Sequence, residues 1–206
     1  MSLTGGSKFI LTGGVSQYQI ERSLRLRSAA SAYLSRTPVI AGSRKLFTLS
    51  LWGKRTGIGT YDWIYDGYSS STNRTGVFFL DTNELAIVHV VSNVAVVYKI
   101  STAVFRDPSA HYHVVVSADT TQTTPVFRFW VNNVEITSWG TNTNTLSQNA
   151  NLFINDAVVQ NIGRYAGDAH YYDGLLSEMV MVDGQALTPS SFGETNPTTG
   201  AWDPIE

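Results

Sequence analysis

Residues 171–194 read YYDGLLSEMVMVDGQALTPSSFGE. An Asp-Gly pair opens an eight-residue, mostly apolar run, and a second Asp-Gly closes it. Periodicity alone leaves the run open. Leu175, Leu176, Met179 and Val180 would share one helix face, whereas Leu176, Val180 and Val182 would share one strand face with Leu175, Met179 and Met181 opposite. Length decides, because a short run between two turn-forming pairs makes a typical strand and a poor helix. Both faces are mostly apolar, so the spacing predicts a central, largely buried strand. The following ALTPSSFG carries a helix start: Thr188 as N-cap, Pro189 at the first helical position, and Leu187 and Phe192 spaced for a hydrophobic staple. One short helical turn is predicted near 188–192.

Outward from this stretch the chain reads as short strands and turns. In RSLRLR at 22–27, Leu24 and Leu26 face one way and the arginines the other. SAYLSRTP follows, closed by Pro38. In KLFTLSLWGKR at 45–55, Phe47, Leu49 and Leu51 form the expected core face. Residues 56–76 read as a long loop with a short strand near Trp63. Strands follow at 77–80, 85–91 and 94–100, with turns at 81–83 and 92–93, and again at 113–118 after an Asp-Pro turn. VFRFWVNNVEIT at 126–137 is the clearest hairpin, since Asn132-Asn133 tolerates the positive φ of a type I′ turn. Residues 138–151 read as polar loop, and 160–164 as a short strand. Turn signals every 8–12 residues and no long helix argue for an all-β sandwich or jelly roll.

Composition agrees. The chain has 206 residues, 12% aromatic and only 15% charged, which suits strands better than solvent-facing helices. That length and a 43% hydrophobic content support one core without staples. A net charge of -2 gives no field that would draw nucleic acid or an anionic membrane. Bases gather before residue 60 and acids after 151, as expected if the two ends pair in one sheet or meet a neighbouring molecule. No cysteine is present, which excludes disulfides and thiolate chemistry. No apolar run is long enough to insert in a membrane or to serve as a secretory leader. Without a leader, the sequon at Asn73-Arg74-Thr75 reads as chance.

Few residues suggest chemistry. Retaining glycoside hydrolysis needs two carboxylates about 5 Å apart. Glu178 and Asp183 are separated by an odd number of residues and would face opposite ways on a regular strand. His111 and His113 share a face but lack a third metal ligand nearby. Gly67-Tyr68-Ser69 lacks the second glycine of a nucleophile elbow, and Gly57-Ile58-Gly59 is not continued into a dinucleotide loop. Calcium on Asp62 and Asp66, or on Asp168 and Asp173, is the one cofactor the loops allow. The densest binding candidate is TYDWIYDGY. There Tyr61, Trp63, Tyr65 and Tyr68 could stack on sugar rings, and Asp62 and Asp66 could accept hydroxyl hydrogen bonds. The alternative is that Trp63 and Tyr65 pack inward. AGDAHYYDG at 166–174 is a second candidate.

Several segments together resemble a known family. SLRLRSAASAYLSRTPVIAGSRKLFTLSLWGKR, FRDPSAHYHVVVSADTTQ, FWVNNVEIT and the stretch from IGRYAGD to TTGAW run in the order found in the laminin-G-like, concanavalin-A-like lectin/glucanase domains of tailed-bacteriophage virion proteins. The resemblance implies a two-sheet antiparallel jelly-roll sandwich over 21–206, with 1–20 as an N-terminal arm. It also implies a non-enzymatic place on the virion surface, as a tail-fibre or receptor-contacting component that binds host glycan. The alternative is a structural capsid decoration or head-fibre protein. Other virion proteins, further copies of the chain and host glycan are the expected partners. Residues 56–104 and 138–160 do not take part in the resemblance, so it assigns no ligand to them.

Overall fold

The computed structural model describes residues 18–167 and 170–206. The predicted arm at 1–20 lies almost wholly outside the described residues, as does Asp168. In chain order the strands are β1 (Leu24–Leu26), β2 (Leu34–Arg36), β3 (Leu46–Arg55), β4 (Asp62–Ser70), β5 (Asn73–Phe79), β6 (Glu84–Val91), β7 (Val94–Val104) and β8 (Tyr112–Asp119). They continue as β9 (Val126–Val131), β10 (Val134–Glu135), β11 (Trp139–Asn144), β12 (Val159–Ile162), β13 (Gly174–Asp183), β14 (Gly193–Thr195) and β15 (Trp202–Pro204). One antiparallel sheet has six strands in the order β1-β13-β3-β8-β9-β10, and the other has seven, β11-β7-β6-β5-β4-β12-β2. A small sheet of β14 and β15 completes the fold. This is the expected all-β, two-sheet antiparallel jelly roll.

The core lies between the large sheets. Phe47, Leu49 and Leu51 from β3 meet Val77 and Phe79 from β5 and Leu85 and Ile87 from β6, all at most 2% exposed. Leu152 and Ile154, from the segment before β12, fill the same layer. At one end Arg55 is fully buried. Its Nε donates to Asp62 at 2.8 Å, one Nη donates to the Phe105 carbonyl at 2.6 Å, and the guanidinium lies 4.4 Å from the Phe79 ring centre. A buried ion pair of this kind survives only because its remaining donors are also satisfied.

The structure corrects four local expectations. The stretch 56–76 is mostly strand, because β4 and β5 form a hairpin. Part of the predicted polar loop at 138–151 is β11, an edge strand on β7. β13 is neither central nor largely buried: it lies second from the sheet edge, and only Gly174 and Leu176 on it are buried. A bulge between Ser177 and Val180, with Glu178 at φ 45°, reverses the alternation there. Leu176, Met179 and Met181 therefore point to the core, while Val180 is 39% exposed. The predicted helical turn is present as a single 3-10 turn, Pro189–Ser191, but the expected side-chain capping bond from Thr188 is not made.

The hairpin reading holds, since Asn132 and Asn133 have φ of 49° and 66°. The two ends of the chain do share sheets, with β1 on β13 and β2 on β12. One described ion pair joins the two ends, Arg44–Asp156 at 2.8 Å, but it lies between loops and not across paired strands. No helix among the described residues is long and apolar enough to cross a membrane.

Candidate functional site

The seven-stranded sheet turns one face to the core and the other outward. On the outward face the register sets three rows across four strands. Trp63, Phe78, Ala86 and Ile100 form one row, Asp66, Gly76, Val88 and Tyr98 the next, and Tyr68, Arg74, Val90 and Ala95 the third. Large rings stand at the two sides and small side chains lie between them. The result is a trough of about 360 Å³ with Val88, Val90 and Ala95 in its floor. Tyr98 forms one bank. Tyr61, Trp63, Tyr165 and His170 form the other, and Arg74 and Asn93 stand in the wall.

Local sequence explains the aromatic bank. A bulge between Trp63 and Tyr65 lets Ile64 and Tyr65 both reach the core while Trp63 remains outside. Trp63 leans across Gly76, where a Cβ would come within 2.0 Å of the indole, so a glycine is required there. The indole stacks on Phe78 at 4.4 Å and on Tyr165 at 4.5 Å, with interplanar angles of 10° and 20°. Tyr61 packs on His170 at 5.0 Å. Tyr165 and His170 belong to a turn closed by the Tyr165 N–H donating to the His170 carbonyl.

The six residues singled out in TYDWIYDGY therefore part company. Tyr61 and Trp63 line the trough, and Tyr68 meets the edge of Tyr165 at 6.1 Å. Tyr65 turns into the core. Asp62 is fully buried against Arg55, and burial pushes its carboxyl up to about 6 even though the guanidinium opposes the shift. Asp66 lies on the outward face but beneath the turn, where its Oδ2 accepts the Ala166 N–H at 2.8 Å. Burial pushes Asp66 up to about 7, against the Ala166 amide and the charges of Arg74 and Arg164. Asp62 and Asp66 thus occupy opposite faces of β4 and cannot share a calcium ion. The other calcium pair falls partly on Asp168, outside the described residues. Among the described residues no group of three His, Asp or Glu is placed to hold a metal. His113 is buried with both ring nitrogens engaged, by Ser50 and by Trp202, so it does not pair with the exposed His111 as a ligand.

The two candidate loops converge, because His170 from AGDAHYYDG stands beside Tyr61. Sequence reading missed Arg74, Phe78, Val88 and Tyr98, which only the strand register brings to the site. Three polar atoms around the trough are buried without a hydrogen-bond partner: Trp63 Nε1, Asp66 Oδ1 and Arg74 Nε. A larger cleft of about 670 Å³ lies on the other sheet, and residues 18–23 of the chain itself form one of its walls.

Among solved structures the chain is similar to a heptameric SAP-like pentraxin from Limulus polyphemus, at 14% identity over 77% of this chain and 72% of that one, with a TM-score of 0.54. It is also similar to the IT-sialidase CBM40 of Ruminococcus gnavus bound to α2,3-sialyllactose, at 12% identity over 77% and 95%, with a TM-score of 0.52. A third is domain 4 of an extracellular arabinanase from Geobacillus stearothermophilus in complex with arabinotriose, at 19% identity over 86% and 79%, with a TM-score of 0.54. At these identities the likeness is one of fold. No curated protein matches the chain in sequence. A laminin G family model described as the concanavalin A-like lectin/glucanases superfamily matches residues 28–191, and the chain belongs to that superfamily.

Proposed function

We propose that the chain is a non-enzymatic lectin-like module that binds glycan in the trough of its seven-stranded sheet, as a tail-fibre or receptor-contacting component on a bacteriophage virion. One observation carries this reading: aromatic banks flank a floor of small apolar side chains on an outward sheet face. Sugar rings present apolar C–H faces that pack on aromatic rings, and their hydroxyls bond to polar groups at the rim. The neighbours solved with sialyllactose and arabinotriose support the same ligand class. Single contacts of this type are weak, so the module acts as a homo-oligomer through multivalency.

The carboxylates support a binding rather than a cleaving role. Glu178 is exposed on the bulge of β13 and accepts the Tyr18 hydroxyl at 2.8 Å. Asp183 accepts the Ser43 N–H and the Asn155 amide. Neither lines the trough.

Binding to a glycan array and to host cells tests the reading. Tyr98→Ala and Tyr61→Ala should each weaken binding by about tenfold, the loss of one aromatic contact. If the oligomeric protein binds no glycan, or if both variants bind as well as wild type, the trough is not a sugar site. A second reading, docking on neighbouring virion subunits, is favoured by the apolar loop beside β2, where Val39 is 94% and Ile40 82% exposed. Replacing both with Ser should then lower incorporation into particles and leave glycan binding intact.

A further inference from the structure

We infer that the sugar held in the trough bears a carboxylate, as sialic and uronic acids do, and that Arg74 receives it. This rests on the glycan reading above and narrows it.

Arg74 is the one permanently charged side chain among the described residues that line the trough. Its guanidinium lies over the Tyr165 ring, 5.1 Å from the ring centre. One Nη donates to the Ser71 carbonyl, which fixes its end. Its Nε is withdrawn from water, so a ligand would meet the Nη edge, and Arg74 makes no ion pair among the described residues. An anchored guanidinium without a counter-charge favours an incoming anion.

The nearest acid does not serve as that acceptor. Asp66 is one row away on β4, under the turn, with Ala166 on one oxygen. Burial pushes its carboxyl up to about 7, so it offsets the Arg74 charge only in part at neutral pH. A planar carboxylate matches a guanidinium edge better than a hydroxyl does, and the pyranose ring carrying it would lie on the apolar floor between Tyr98 and Tyr165. Asn93 in the same wall offers an amide to the ring hydroxyls.

Surfaces coated with oligogalacturonate, its methyl ester, α2,3-sialyllactose and lactose provide the test, using the full chain. One of the two acids should bind at least tenfold better than its neutral counterpart, and which one does so tells a uronic from a sialic acid. The preference should shrink as ionic strength rises. Arg74→Gln should erase the preference, and Arg74→Lys should keep part of it. The Lys variant also guards against a folding defect in Arg74→Gln, since it retains the charge and the aliphatic stem. Equal binding of acids and neutral sugars, unaltered by Arg74→Gln, overturns this inference and leaves the glycan reading standing. Binding of none of the four, with no hit on a wider array, overturns both.

Discussion

Each large sheet sets a tryptophan among aromatic neighbours on its outward face. On the six-stranded sheet the chain covers that face itself. The C-terminal hairpin of β14 and β15 lays Trp202 over His113, and the indole N–H donates to His113 Nδ1 at 2.8 Å. His113 Nε2 meets the Ser50 hydroxyl at 2.9 Å, and Trp52 stacks on the imidazole at 4.5 Å. On the seven-stranded sheet Tyr165 covers Trp63, and among the described residues no hairpin lies over the trough. Trp63 is well packed, yet its N–H is left without an acceptor. Similar side chains are thus satisfied from within on one face and left partly unsatisfied on the other. Stability is expected to reside in the first arrangement and recognition in the second.

The largest effect should separate the two faces directly. Trp202→Ala removes a ring from the closed face and leaves His113 Nδ1 without its donor, and should cost about 3 kcal/mol of stability in urea unfolding. Tyr98→Ala on the open face should cost less than about 1 kcal/mol while damaging binding. Equal losses would break the comparison.

The next effect concerns pH. Burial pushes His113 down to about 4 from 6.5, and the Trp202 donor requires Nδ1 to be unprotonated. The neutral imidazole therefore contributes stability that is complete above 6.5 and is lost as pH falls towards 4. Buried His89, also lowered to about 4, acts in the same window, so the test compares wild type with Trp202→Phe. The variant should lose less stability over that interval than wild type does.

Asp66 should give an effect of opposite sign. Its folded value is raised, so the stability of its protonated form is complete below 3.8 and is lost as pH rises through about 7. Asp66→Asn should be more stable than wild type at pH 8, with the difference shrinking through pH 5 and gone only below pH 3.8, read by thermal unfolding. Facing Arg74 and Arg164, it should also remove any weakening of acidic-sugar binding between pH 6 and 8.

Much of the fold was legible because it rests on local signals. Phe47, Leu49 and Leu51 alternate as a half-buried strand should, and Asn132-Asn133 carries its own turn geometry. The errors cluster at bulges. An inserted residue at Glu178 shifts the alternation of β13, and another at Ile64 places Tyr65 inside while Trp63 stays out. A period-of-two reading cannot anticipate such a shift, because the extra residue is fixed by contacts with other strands. β11 was missed because its residues are mostly polar and it pairs only along an edge. The site was half legible. The density of rings at 61–68 was visible, but Arg74, Val88 and Tyr98 meet only through register. Arg74 was hidden inside what looked like a chance glycosylation signal.

The floor of the trough has a further consequence. Its depth is set by how little protrudes from Val88, Val90 and Ala95, whereas the core is held by the opposite faces of the same strands. Enlarging the exposed Ala95 by one or two carbons would reshape the cavity without touching the interior. Such a protein can drift in what it recognises while its architecture stays constant, because the two properties are written on alternate letters of the same strands.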